Sequence, residues 1–329
     1  MKNFIIRRLI LGTFIVIFGT LVVYTVIRFL PTSYVETIAR QRASNPVSNM
    51  TYQEWLDQLN SVYHLDVGII PGFLGWLGSA VRGDFGNSWH YGVPVTEKFA
   101  DVIWYSIIVN VITFFVQIFI SIPLGITAAR KQYSRTDYAI TVFALIGISL
   151  PTFFLATILK YVFSIKLGWF DLYGVTGRFH TSMTPFQQVL DKAYHLVLPV
   201  ITLTMLSIGG LMRYTRTNML EVLNSDYIRT ARAKGLSEKV VINKHAFRNT
   251  LIPLVSYMSY LIPSMFGGSL ITETLYQIPG IGYISYTAIV RGDIPFAMFY
   301  TTLLTVLTQV SLIVADIMYA VVDPRVRAN

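Results

Sequence analysis

Six long apolar runs constrain this chain more than anything else in it: 9–30, 102–129, 138–163, 196–212, 251–270 and 296–322. A bilayer core is about 30 Å thick and takes roughly 20 apolar helical residues to cross. In lipid only helices and closed barrels satisfy their own backbone polar groups, so the runs predict an all-α, polytopic membrane protein with about six transmembrane helices. Composition agrees, with 53% of residues apolar and 13% charged, about half the charged share of a soluble domain. The first run follows Lys2, Arg7 and Arg8. It is too long for the apolar core of a secretory signal, and Pro31-Thr32-Ser33-Tyr34-Val35 is no cleavage site, so a retained helix is expected. Cysteine is absent, which excludes disulfides and thiolate metal sites.

The net charge of +9 reads as topology once it is laid over six spans with the N-terminus inside. The inner segments then hold sixteen Lys and Arg against five acids, and the outer side ten against eleven, with Asp316 inside a span. That is the positive-inside pattern. It predicts a multi-pass chain in an inner or plasma membrane with cytoplasmic N- and C-termini, contact with lipid, and no nucleic-acid partner. The chain then divides into 1–30, the N-terminal segment and first span; 31–101, an extracytoplasmic segment; and 102–329, a core of five spans. Within that core, 213–250 is a long basic cytoplasmic segment. In the outer segment, 52–59 is amphipathic, 71–92 is Gly-rich, and tryptophans at 55, 76 and 89 suit a membrane surface. The second outer stretch, 164–194, reads as an irregular loop.

The inner segment 213–250 carries the most information. It reads as two short helices with a glycine between them. Ser225 or Asp226 caps the first, Lys234 favours its negative end, and Gly235 fits the left-handed position that follows. Ser237 caps the second, with Glu238 in its first turn. The small side chains of Ala231 and Ala233 would let such an elbow approach another surface closely. A basic amphipathic helix lying on anionic headgroups is the other reading. The chain contains no Gly-x-x-x-x-Gly-Lys-Ser/Thr phosphate loop, so any ATP-derived energy arrives from a separate subunit. Asp84-Phe85-Gly86 matches a kinase triplet only by chance, since no other kinase motif accompanies it. No intramembrane pair of aspartates, or of Ser and His, points to a hydrolase.

This segment resembles the EAA-type coupling loop of ABC importer permeases, with Arg229-Thr230-Ala231 at the place of the triplet. Two departures, the match of only the last alanine and the long Gly235-to-Pro253 gap, are those of the oligopeptide and dipeptide branch, its dipeptide permease B-like members included. There the run reads much like Tyr227-Ile228-Arg229-Thr230-Ala231-Arg232-Ala233-Lys234-Gly235-Leu236. Further stretches agree: Ile6-Arg7-Arg8-Leu9, Gly83-Asp84-Phe85-Gly86-Asn87-Ser88, Ser149-Leu150-Pro151-Thr152-Phe153, Glu273-Thr274-Leu275, Pro279-Gly280-Ile281-Gly282, Arg291-Gly292-Asp293-Ile294-Pro295 and Asp323-Pro324-Arg325-Val326-Arg327.

The resemblance implies a type I ABC importer permease fold and a transport subunit that is not itself an enzyme. It implies a second homologous permease, two ATP-binding subunits that use ATP and Mg, and an extracytoplasmic solute-binding protein that delivers di- or oligopeptides. This chain would bind no cofactor or metal and hold no catalytic residue. Tyr227, Arg229, Ala231, Arg232, Ala233, Lys234, Gly235, Ser237 and Pro253 are the expected ATPase-coupling residues. Glu273, Asp293 and Asp316 are candidates for the substrate pathway or for binding-protein docking, with structural pairing the other role for Asp316. The same machinery serving a nickel chelate, glutathione or an oligosaccharide is the alternative, as is a secondary transporter.

Overall fold

The computed structural model describes residues 2–29, 34–45, 50–62 and 65–322, and the side chains of those between 6 and 314. Along the chain the helices run α1 (Lys2–Arg28), α2 (Tyr34–Ala43), α3 (Tyr52–Val62), α4 (Ile69–Ala80), α5 (Val95–Arg130), α6 (Arg135–Ser149), α7 (Thr152–Leu159) and α8 (Pro185–Leu223). They continue as α9 (Asp226–Ala233), α10 (Glu238–Val240), α11 (Phe247–Ser259), α12 (Ile262–Phe266), α13 (Leu270–Tyr276), α14 (Ile281–Val290) and α15 (Ile294–Val322). The chain divides into two compact units: Met1–Trp104 with Ile281–Val310, and Tyr105–Gly280 with Ser311–Asn329.

Among the described residues, four helices are long and apolar enough to cross a membrane: Ile6–Arg28, Val95–Arg130, Pro185–Leu223 and Ile294–Val314. Two bent helix pairs pass the same test when each pair is taken together. The run 138–163, expected as one span in which Pro151 tends to make a kink, bends by 104° between α6 and the stretch Thr152–Lys166. Its cause is local: the ring of Pro151 pushes the preceding residue out of the helical region, and Leu150 is extended at φ −80°, ψ 130°. The run 251–270 belongs to a helix that starts earlier, at Glu238, and turns by 47° before α13. Gly268, at φ 68°, stands at that turn.

In the first unit, α4 lies against α1, where Tyr24 and Phe73 are buried with Met298 of α15. Val35, Ala39 and Leu59 join α2 to α3. Thus 69–80, within a stretch expected only to be Gly-rich, is helical. In the second unit, α8 is the central element. Gly147 of α6 sits over the Met205 carbonyl and Gly209 of α8 over the Ala144 carbonyl, so a Cβ on either would collide with backbone. Small residues at such crossings let membrane helices pack on dispersion alone. From α5, Gln117 and Ser121 donate to the carbonyls of Ser207 and Ile208, each at 3.1 Å. The first ten residues of α8 fall in the stretch expected to be a loop. Thr184 and Gln187 form a reciprocal capping box that starts the helix there, a signal present in the sequence as Thr-x-x-Gln.

Candidate functional site

Two features of the second unit stand out, an elbow and a cleft. The elbow begins where α8 ends. Ser225 occupies the N-cap position of α9, but its hydroxyl donates backward to the Val222 carbonyl at 2.6 Å rather than capping. After α9, Gly235 adopts φ 74° and donates to the Arg232 carbonyl at 3.0 Å. Ser237 precedes α10, which runs through a π-helical stretch, Val241–Ala246, directly into α11. The second arm is therefore no separate short helix. It is the leading end of the following apolar stretch, joined to it by continuous helical backbone.

The elbow has an inside and an outside. Ile228 and Ala231 are buried with Met219, Val241, Ile242 and Ala246. Tyr227, Arg229, Arg232, Ala233, Lys234, Gly235 and Ser237 are exposed. Of the two alanines expected to allow close approach, only Ala233 is on the surface. Arg232 reaches across the glycine to Glu238, donating from Nε at 3.2 Å and from a terminal nitrogen at 2.9 Å. This brace closes the turn. Pro253 is half-buried inside α11.

The cleft, of about 450 Å³, is enclosed by α5, α6, α8, α11 and α12 with the turn before α13. Its polar lining comes from Asn110, Thr113 and Gln117 on α5, Ser207 on α8, Tyr257 on α11 and Ser264 on α12. Phe114, Leu203, Leu206 and Met265 supply apolar wall, and no described lining residue is charged. Asn110 donates to the Met265 carbonyl at 3.3 Å and accepts from the Ser269 hydroxyl at 3.2 Å.

Beside this, Glu273 is buried and accepts from the Ser106 hydroxyl at 2.7 Å and from the Ser269 amide at 3.0 Å. Gly280 lies against its carboxylate, where a Cβ would collide. Asp293, in the first unit, is fully buried. It accepts from the Ser88 hydroxyl, from the amides of Trp89 and His90 at 3.1 Å each, and from the Phe296 amide at 3.3 Å. The structure thus places each carboxylate as an internal clasp within its own unit. The side chain of Asp316 lies outside the described residues.

Sequence reasoning missed Lys160. It is buried, donates to the Leu275 carbonyl at 2.5 Å, and stands over the rings of Tyr173 at 4.0 Å and Tyr276 at 5.5 Å. A cation at the negative end of α13 is electrostatically favoured. The signal was a lone lysine in an apolar run. The cleft was also missed, because its polar residues are spread over four helices.

Comparison with known proteins places this geometry. The family model for the binding-protein-dependent transport system inner membrane component matches residues 121–328, which include the elbow and most of the cleft. The oligopeptide transport system permease protein AppB of Bacillus subtilis is 36% identical over 327 residues, covering 99% of both chains. The dipeptide transport system permease protein DppB of Alkalihalophilus pseudofirmus is 32% identical over 99% of this chain and 100% of its own. The oligopeptide transport system permease protein OppB of Haemophilus influenzae is 31% identical over 83% of this chain. This chain, a many-helix membrane protein, belongs to the family of binding-protein-dependent transport system inner membrane components.

Proposed function

We propose that this chain is one membrane-spanning half of an ATP-driven importer for di- and oligopeptides. An extracytoplasmic binding protein delivers the peptide, a second related permease completes the pathway, and two separate ATPases supply the energy from ATP and Mg. Both termini and the 213–250 segment face the cytoplasm. The observation that carries the reading is the elbow, a compact turn with an apolar inside, a basic outside and an unbroken connection to the next span. An ATPase in trans shifts the permease between states only through contacts that differ between them. The exposed row Tyr227, Arg229, Arg232, Ala233, Lys234 and Ser237 around Gly235 is the surface for that contact. Its five basic residues between Arg229 and Lys244 orient it against an acidic rim. Ala231 supports the row from beneath, Pro253 lies further along in α11, and Glu273 and Asp293 act as internal clasps, each within its own unit.

Uptake of an isotope-labelled tripeptide by cells carrying the whole system tests this reading. Intact peptide accumulates, accumulation stops when the partner ATPases are removed, and a proton uncoupler leaves the initial rate unchanged. Uptake that survives loss of the ATPases but collapses with the uncoupler overturns the reading in favour of a secondary transporter.

A further inference from the structure

The charge-free cleft has a chemistry of its own. Thr113 lines it, is 7% exposed, and its hydroxyl has no hydrogen-bond partner. A buried polar atom without a partner costs about 1–3 kcal/mol, and this hydroxyl, beside the cleft but closed to water in this state, is one that a ligand group would satisfy on entering. Hydroxyls and carboxamides both donate and accept, and the lining holds Asn110, Gln117, Ser207, Tyr257 and Ser264 beside Thr113. Gln117, Ser207 and Ser264 each donate to a backbone carbonyl and keep acceptor lone pairs. Among small-molecule pockets, typically about 300–1,000 Å³, 450 Å³ is an ordinary size.

We infer that this cleft is a translocation subsite for the main chain of the substrate, binding peptide amide groups through neutral side chains and ignoring the charge of the substrate's side chains. The inference rests on the transport reading above and names what that pathway recognises. A peptide crossing the membrane carries amide N–H and C=O groups that cannot be left unsatisfied in an apolar surround. A lining that both donates and accepts satisfies both kinds. An acid or base in the wall would instead favour substrates of opposite charge and repel those of like charge. Neutral contacts also hold substrate loosely enough to release it, which a conducting site requires.

The native chain has no cysteine, so Thr113→Cys, Ser207→Cys and Ser264→Cys each place a single, conservative thiol in the cleft. In the assembled complex with its binding protein, alkylation of this chain by an uncharged maleimide is followed by mass. Saturating tri-alanine, tri-lysine and tri-glutamate each slow labelling at least about fivefold, and by the same factor within about twofold, as neutral contacts require. Labelling unaffected by peptide, in a complex that transports it, overturns the inference and leaves the transport reading intact. So does labelling already blocked before peptide is added, which would mean that another subunit fills the cleft. Protection by one charge type exceeding the other by about tenfold or more, at equal binding-protein occupancy, overturns it as well. A complex that transports no peptide overturns the reading beneath it.

Discussion

Arg216 of α8 holds Asp137 at the start of α6 through two parallel hydrogen bonds, Nε to Oδ1 at 2.8 Å and a terminal nitrogen to Oδ2 at 2.7 Å. Asp137 is almost wholly buried and also accepts from the Tyr133 amide at 2.9 Å. The pair ties α6 to α8 near the end of each helix, a few turns from the Gly147–Gly209 crossing. Removing Asp137 leaves the Arg216 guanidinium, a quarter exposed, without its partner, at a cost below the ~3–5 kcal/mol of a fully buried pair. Asp137→Ala is therefore expected to lower the thermal midpoint of the purified permease markedly. Replacing both partners, Asp137→Leu with Arg216→Met, recovers most of the loss. Unfolding of the detergent-solubilised protein, followed by tryptophan fluorescence, checks both expectations.

Glu273 and Gly280 form a second clasp. The glycine leaves the only room for the carboxylate between Ser106 and Ser269. Gly280→Ala is expected to displace Glu273 and break both bonds, while Glu273→Gln keeps the shape and retains an acceptor. The alanine variant therefore loses transport with normal membrane insertion, and Glu273→Gln keeps a large part of it. Uptake assays normalised to permease content separate the two.

In the first unit, Asp293 pins the loop around Ser88–His90 to the start of α15 through two loop amides, Trp89 and His90. Charge-assisted bonds of this kind contribute about 1.5–3 kcal/mol net each. Asp293→Ala is expected to release the loop, seen as faster amide hydrogen exchange over 86–95 with the spans unchanged. Asp293→Asn keeps one acceptor and shows an intermediate rate.

His90 makes the same loop sensitive to pH. Burial lowers its pKa first, the Arg291 guanidinium at 2.8 Å lowers it further, and Asp293 pulls the other way without reversing the shift. A base with a depressed folded pKa takes up protons more readily when unfolded. Its contribution to stability is present above the ordinary value of 6.5 and is lost as pH falls below it. Protection over 86–95, after allowance for the intrinsic pH dependence of amide exchange, is expected to fall between about pH 7.5 and pH 5, where histidine titrates. His90→Gln flattens that part of the profile.

Much of the membrane fold was legible in the sequence because its signal is long and redundant: a span is a run of some twenty residues. The left-handed turn at Gly235 was legible for a different reason, since a small-residue helix followed by glycine admits few conformations. The kink at Pro151 was legible too, though not that the bend there reaches 104°. What escaped depends on neighbours. Asp293 looked like a surface acid because nothing local tells that Ser88, two hundred residues earlier, folds over it. Lys160 and Thr113 draw their meaning from helices far away in sequence, which periodicity does not register.

We propose that the Asp226–Ala233 helix and the Gly235 turn transmit the ATPase stroke. Gly235→Val forces a β-branched residue into the left-handed region, costing about 1–2 kcal/mol and misplacing the turn while the spans stay folded. Complexes with and without this substitution, reconstituted into liposomes with binding protein and internal ATP, are compared for tripeptide accumulation and ATP hydrolysis. The variant is expected to insert normally and either to lose its ATPases or to retain them without peptide accumulation. Full uptake by the variant, with its ATPases bound in normal amount, would contradict it.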